Sequence, residues 1–355
     1  MSRVAAVVPL YNHERFVAQA IESLLAQTRP LDRIIIIDDG STDNSLVVAR
    51  RFESPQLRAI AQANAGAHAA LNRGIELAED CDFIAILNSD DVFHPERIAR
   101  CLALFGDGNT QVVSTNLRLI DEDGALLPQA FHRAQWLRAA WAPPRREPLV
   151  AWLGYANFLT TTSNTVARRS YLREHPFCNY RFVHDYRFFV TAALNAALTV
   201  LDEPLLDYRF HRANTMDTAP EVAVREVLKM NFDLAREIAA RLEREPAVRQ
   251  AWSVYHRAAW RNISSFRKDL FLTCVTRLIA GNETDSEIDA LTVAAFPELN
   301  QFPNLEEIRK ACDDTRTAEI FEDDVRKSGW LRLGARLGVK SAKTLLEKIE
   351  HREPQ

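Results

Sequence analysis

Residues 83–91 read Phe-Ile-Ala-Ile-Leu-Asn-Ser-Asp-Asp, an apolar run of strand length that stops at an amide, a hydroxyl and two adjacent acids. Neighbouring carboxylates after a buried strand repel one another and lose hydration unless a cation neutralises them. The same grammar recurs upstream. Val4–Val8 is a strand leading into Pro9-Leu10-Tyr11-Asn12, and Arg33–Ile37 is one leading into Asp38-Asp39-Gly40-Ser41-Thr42-Asp43. Gln56–Ala61 precedes Gln62-Ala63-Asn64-Ala65-Gly66, which runs into Asn72-Arg73-Gly74. Between the strands, Phe16–Gln27, Ser45–Phe52 and Ala67–Ala78 carry helical patterns. Strands alternating with helices predict an α/β fold, a mainly parallel sheet with right-handed crossovers. Ligands gather at the carboxyl ends of such strands, which is where these polar clusters fall.

Each cluster has two readings on its own. The Asp38-Asp39 segment either offers a carboxylate to a base or ribose, or is a turn in which Ser41 or Asp43 caps the next helix. For Asp90-Asp91, hard oxygen donors suit Mg²⁺ or Mn²⁺ rather than zinc, and the ion could bridge two phosphates. The other reading is a helix that starts at Pro95, with Asp91 a solvated acid near its positive end.

Further along, Val112–Ile120 is a strand before the turn Asp121-Glu122-Asp123-Gly124. Residues 128–163 differ in character, with Trp136, Trp141, Trp152, Tyr155 and the break Pro143-Pro144. A helix is predicted from Tyr186 to Ala197 and a strand over Thr199–Leu201, ending before Glu203-Pro204. From Pro220 the pattern becomes helical: Val224, Val227, Leu234, Ile238 and Leu242 mark one helix, and Trp252, Tyr255, Ala259, Ile263, Phe266 and Leu270 a second. The expected organisation is a domain over 1–216 and a mostly α-helical C-terminal domain over 217–355. A length of 355 residues suits two such units.

The 48 acidic residues outnumber the 44 basic ones, for a net charge of −4, which excludes a general nucleic-acid binder. Five cysteines (Cys81, Cys101, Cys178, Cys274, Cys312) are scattered, matching neither a disulfide framework nor a zinc site. Reduced thiols in a cytoplasmic protein are expected. No apolar run reaches the roughly 20 residues that span a bilayer. The segment 326–348 holds seven basic residues and one acid, interleaved with Trp330, Leu331, Leu333 and Leu337. It suits a helix lying on an anionic membrane or a plain terminal helix packed on its own domain.

The ordered set Val-Val-Pro-Leu-Tyr-Asn, Asp-Asp-Gly-Ser-Thr-Asp, Asn-Ala-Gly with Asn-Arg-Gly, and Asn-Ser-Asp-Asp resembles the family 2 glycosyltransferases of the GT-A fold, over residues 1–212. The resemblance implies an inverting transfer of sugar from a nucleoside diphosphate donor, a UDP-sugar above all, to a glycan or lipid-linked acceptor. It implies a role in surface polysaccharide or glycan synthesis, with Mn²⁺ or Mg²⁺ as cofactor. On that likeness Pro9, Tyr11, Asn12, Asp38, Asp39, Asn64, Gly66 and Arg73 border the donor, Asp90 serves its ribose and diphosphate, and Asp91 ligates the metal. Phe182-Val183-His184-Asp185-Tyr186 resembles the family's acidic pair, with Asp185 as general base and His184 where Glu is usual. Tyr208-Arg209-Phe210-His211 resembles the segment that closes the family's catalytic domain, which implies that Arg209 pairs with a phosphate and that His211 completes the metal shell or touches the diphosphate. Trp136, Trp152 and His184 belong to the acceptor side, with Thr160–Asn164 lining it.

Two departures modify these expectations. Asn88 stands where the family often has Asp, which predicts weakened rather than lost metal binding. Leu71 stands where it often has Arg, leaving Arg73 to supply that charge. Asn88 and His184 are the support for an alternative, a non-catalytic nucleotide-sugar binding module; Asp90, Asp91 and Asp185 speak for an enzyme. A sugar nucleotidyltransferase would need a Gly-rich loop bearing Arg and Lys after the first strand, and a dehydrogenase G-x-G-x-x-G; Tyr11-Asn12-His13-Glu14 is neither. The helical extension offers a surface for an oligomer.

Overall fold

The computed structural model describes residues 2–106, 108–141 and 148–211, then 226, 230, 233–234, 237–238, 241 and 244–261. The chain divides into two compact units, Met1–Glu226 and Val227–Gln355. The expected boundary near Met216, the break at Pro143-Pro144 and the basic segment 326–348 lie outside the described residues.

The first unit opens as the apolar runs predict, with β1 (Val4–Leu10), α1 (Val17–Leu25), β2 (Arg33–Asp38), α2 (Ser45–Arg50), β3 (Leu57–Ala61), α3 (Ala67–Leu77) and β4 (Phe83–Ile86). After these come β5 (Val92–Phe93), α4 (Arg97–Leu102), β6 (Val112–Ile120), α5 (His132–Ala140) and α6 (Leu149–Tyr155). A short 3₁₀ turn at Thr162–Asn164 leads into β7 (Val166–Arg168), α7 (Arg169–Glu174), α8 (His184–Leu194) and β8 (Leu198–Arg209). The eight strands form one sheet in the order β3-β2-β1-β4-β7-β6-β8-β5. Strands β3, β2, β1 and β4 are mutually parallel, as are β6 and β8, while β7 and β5 pair antiparallel with their neighbours. The sheet is mixed and mainly parallel, flanked by helices, as the α/β reading requires.

β1 and β4 are buried along almost their whole length, because helices cover both faces of that half of the sheet. Packing there is tight enough to exclude a methyl group. A Cβ on Gly74 of α3 would lie 2.4 Å from Cγ1 of the fully buried Val7.

Two boundaries differ from the sequence reading. α8 begins at His184 rather than Tyr186, which puts Asp185 in its first turn. β8 does not stop before Glu203-Pro204 but continues to Arg209. Its register against β6 shifts where Asn116 faces Pro204, and a proline is tolerated at such an irregularity because no ladder N–H is needed there. The extended strand carries Arg209, and just beyond it His211, back to the end of β4.

In the second unit α9 (Pro246–Arg261) buries Trp252 and Tyr255, their rings stacked with centroids 5.8 Å apart, while Ile263, Phe266 and Leu270 of the predicted helix lie outside the described residues. Cys81, Cys101 and Cys178 carry free thiols. Among the described residues no helix is long and apolar enough to cross a membrane.

Gly→Ala inside a helix ordinarily stabilises by about 0.5–1 kcal/mol. Against Val7 the sign should reverse, and Gly74→Ala should lose about 1–3 kcal/mol in urea denaturation. A variant at least as stable as the parent would contradict the close seating of α3 on β1.

Candidate functional site

The carboxyl ends of β1, β2 and β4 converge on one polar region, and the two acids after β2 divide the labour. Asp39 is spent on the protein. Its carboxylate accepts from Gln62 Nε2 at 2.7 Å and from the backbone N–H groups of Ala65 and Gly66 at 2.9 and 2.8 Å. It thereby shapes the loop into α3, where Gly66 takes φ 91°. Asp38 is 3% exposed, and its Oδ1 has no hydrogen-bond partner. A buried carboxylate oxygen without a protein partner is costly.

Asn12, at φ 53°, clamps the β1 loop to the β2 loop: its N–H donates to Ser41 Oγ at 3.0 Å and its Oδ1 accepts from Thr42 N–H at 2.8 Å. Tyr11 is 47% exposed beside it, and Pro9 pairs with Ile37 inside the sheet. Asn64 is exposed on the following loop. Arg73 is exposed too and donates to the Ala61 carbonyl and to Gln62 Oε1, so it braces the residue that holds Asp39.

The acids after β4 part company as well. Asp91 is fully buried. Its Oδ2 accepts from Ser163 Oγ at 2.5 Å and Thr161 Oγ1 at 3.3 Å, and its Oδ1 accepts from the Arg209 N–H at 2.9 Å. Burial, and then the charge of Asp90, push its carboxyl well above the usual range. Asp90 instead meets His211, with Oδ2 3.0 Å from Nε2. Burial works against its charge, but His13 and His211 outweigh it and hold the Asp90 carboxyl below its ordinary value. Donor atoms of His13, Asp90 and His211 all lie within 4.8 Å of one another, a set that fits a divalent cation. The carboxylate beside His211 is that of Asp90. Asp91, expected as a direct ligand, lies next to this set with both oxygens accepting protein hydrogen bonds.

Arg209 was expected at a phosphate and is engaged by the protein instead. Its Nε donates to the Asp90 carbonyl at 2.8 Å, Nη1 to the carbonyls of Asp121 and Glu122 at 2.8 and 3.0 Å, and Nη2 to Gln19 Oε1. It ties the ends of β4, β6 and α1 together. Asn88 likewise turns away from the cation set, giving its N–H to Ser163 Oγ at 2.8 Å and its amide to Thr161 Oγ1 at 2.9 Å. His13 was read only as part of a loop that lacks a glycine-rich signature. Its position directly after Tyr11-Asn12, at the end of β1, was the available signal.

The second half of the site hangs on the segment 157–164. Asn157 Nδ2 reaches Asp185 Oδ2 at 3.4 Å, and the Tyr186 N–H donates to Asp185 Oδ1 at 2.6 Å. Burial overrides both and raises the Asp185 carboxyl to about 7, a value suited to a general base. Thr160, a β-branched residue, sits at φ 70°, strain of the kind that clusters at functional sites. His184 is buried. Its Nδ1 faces the Tyr180 carbonyl at 3.2 Å, its Nε2 faces Thr162 Oγ1 at 3.0 Å, and burial lowers its pKa to about 4. It is a neutral structural group that fixes the start of α8. Trp136 is 48% exposed on α5, whereas the Trp152 ring packs edge-on against Phe158 at 5.4 Å.

The polar strand ends, the His13–Asp90–His211 set and the buried Asp185 lie on a mixed, mainly parallel sheet flanked by helices, of the GT-A type found in sugar-transferring enzymes. The family model described as Glycosyl transferase family 2 matches residues 5–175, and that stretch is a family 2 glycosyltransferase domain. An uncharacterized glycosyltransferase of Nostoc sp. is 30% identical over 218 residues, which cover 60% of this chain and 66% of the relative. Chondroitin synthase of Escherichia coli is 33% identical over 132 residues, 36% of this chain and 19% of the synthase. The chain thus spans less than two thirds of either relative's length. Among solved structures, S. aureus TarS 1-349 in complex with UDP-GlcNAc aligns with a TM-score of 0.60 at 17% identity, over 88% of this chain and 91% of that one, a likeness of fold.

Because the folded pKa of Asp185 lies above its unfolded value, its contribution to stability is complete below about pH 4 and is lost as pH rises through about 7. Asp185→Asn should therefore melt higher than the parent at alkaline pH and no higher at about pH 4 or below. A lower melting temperature at alkaline pH would mark the acid as a helix cap.

Proposed function

We propose that the enzyme transfers a sugar, with inversion, from a nucleoside diphosphate donor to a glycan or lipid-linked acceptor, and that it requires a divalent cation. The observation that carries this reading is the pairing of two opposite carboxyl environments. Asp90 is held ionised beside His211, while Asp185 is buried and raised to about 7. The first suits a cation on a leaving diphosphate; the second suits proton abstraction from an acceptor hydroxyl.

In this reading Asp38 accepts a hydrogen bond from the base or ribose through its unpartnered Oδ1, and Tyr11 covers the nucleoside from the β1 loop. Pro9, Asn12, Asp39, Gly66, Asn64 and Arg73 shape and border that half of the site. Asp90 and His211, with Asp91 beside them, would hold Mn²⁺ or Mg²⁺, and the ion would supply positive charge opposite a departing diphosphate. Asp91 and Arg209 position Asp90 from behind. Asp185 Oδ receives the acceptor proton as the sugar carbon is attacked from the face opposite the leaving group. Trp136, exposed on α5, offers an apolar ring to an acceptor sugar, with Trp152 and His184 supporting that side from within.

A UDP-sugar is the favoured donor, in keeping with the UDP-GlcNAc bound by the TarS structure of similar fold. Polysaccharide synthesis is the favoured setting, in keeping with the chondroitin synthase relative. The catalytic domain is proposed over 1–216 and a helical C-terminal domain over 217–355. The work is proposed to take place in the cytoplasm, at the inner membrane face where an acceptor is lipid-linked, with residues 326–348 as the contact.

Thermal-shift titration tests the donor half without knowledge of the acceptor. UDP or a UDP-sugar at a hundred times its Kd should add about 2.7 kcal/mol with Mn²⁺ and far less in EDTA, a shift of several degrees. Asp90→Asn should lose the metal-dependent part. Asp185→Asn should keep it yet abolish transfer. Absence of any nucleotide shift, or turnover by Asp185→Asn comparable to the parent, contradicts the proposal.

A further inference from the structure

His13 distinguishes this cation set from one made of oxygen donors. It follows β1 on the turn into α1, where its backbone N–H is anchored on Ser45 Oγ at 2.7 Å. Its ring stands edge-on to His211, with centroids 5.7 Å apart at 87°. Nδ1 lies 2.8 Å from Oγ of Ser89, a residue 1% exposed and adjacent in sequence to Asp90. A histidine that ligates a metal is typically oriented by a hydrogen bond at its other ring nitrogen, which also selects the tautomer. In the tautomer in which Nδ1 donates to Ser89, Nε2 carries the lone pair that a metal would take.

We propose that His13 is a third protein ligand, and that the resulting His–Asp–His face makes the site selective for a transition-metal dication over Mg²⁺. The inference rests on the cation site of the functional reading above and specifies which ion that site takes. Metal–ligand bonds of about 2.1 Å put two donors at most about 4.2 Å apart, so a set already within 4.8 Å closes on an ion with small movements. Two imidazoles beside one carboxylate suit Mn²⁺, Co²⁺ or Zn²⁺, whereas Mg²⁺ favours oxygen donors and retains its water. Three protein ligands on one face leave the remaining coordination positions to a diphosphate. Hard-oxygen selection, expected from Asn88-Ser89-Asp90-Asp91 taken alone, is thereby modified by a residue 77 positions upstream of Asp90.

Calorimetric titration of the full chain with Mn²⁺, Co²⁺ and Mg²⁺ separately, and the visible d–d absorption of bound Co²⁺, provide readouts independent of turnover. In the parent, Mn²⁺ and Co²⁺ should bind far more tightly than Mg²⁺. His13→Gln should weaken both by about tenfold or more, change the Co²⁺ spectrum and leave Mg²⁺ within about twofold. Ser89→Ala, which keeps the imidazole but frees its ring, should fall between. Melting in EDTA establishes that each variant is folded. If His13→Gln weakens all three ions alike, or none, the role of His13 is overturned while the cation site stands. If the parent binds none of the three ions, even with UDP present, the cation site of the functional reading falls as well.

Discussion

The catalytic half-sites depend on one short buried polar segment, residues 157–164, and on the hydrogen bonds it makes in two directions. Toward β4, Ser163 and Thr161 hold the Asp91 carboxylate and the backbone and amide of Asn88. Toward α8, Thr162 meets His184 and Asn157 meets Asp185. The segment is itself locked from below. Asn164 Oδ1 accepts from the Thr115 N–H at 2.8 Å, its Nδ2 donates to the Thr115 carbonyl at 2.7 Å, and the buried Arg97 reaches Asn164 and the Ser163 carbonyl. Each of these buried polar groups would cost about 1–3 kcal/mol if left unpaired, so the network favours one arrangement over its alternatives.

Within that frame the protein separates adjacent acids by what surrounds them. Asp39 and Asp91 serve as internal braces, while Asp38 keeps an unpartnered Oδ1 and Asp90 meets His211. Arg209 extends the scheme. By binding the Asp90 carbonyl, the 121–122 turn and Gln19, it fixes the backbone from which Asp90 projects. Asp185 has a different environment again. Burial, with only one close hydrogen bond to its carboxylate, leaves it able to change charge near neutrality. Stability given up at such a residue is a familiar cost of function.

Much of this was legible in the residues. The apolar runs of β1, β2 and β4 are long, uninterrupted and bounded by polar clusters, because strands covered on both faces need apolar residues at every position. The Asp185 and His211 segments stood out by type and spacing. What escaped notice has identifiable causes. β5 and β7 are two and three residues long and carry no periodicity. β8 contains a proline that ordinarily ends a strand, and only its partner's irregular register reveals why it does not. Which of two neighbouring acids turns inward depends on the backbone at a strand end and on hydroxyls 70 and 72 positions away from Asp91, Thr161 and Ser163. His13 has no partner in its own segment that would announce a ligand; Ser89 and His211 come to it through the fold.

The claim that a single buried segment organises the donor side is most directly tested at Ser163, which is fully buried and binds Asp91 and Asn88. Calorimetry of UDP binding in Mn²⁺ should show Ser163→Ala weakened by about tenfold or more although it removes only one internal hydroxyl, as disruption of a supporting shell does. Parental affinity in a folded Ser163→Ala would contradict the account, leaving the segment a matter of stability alone.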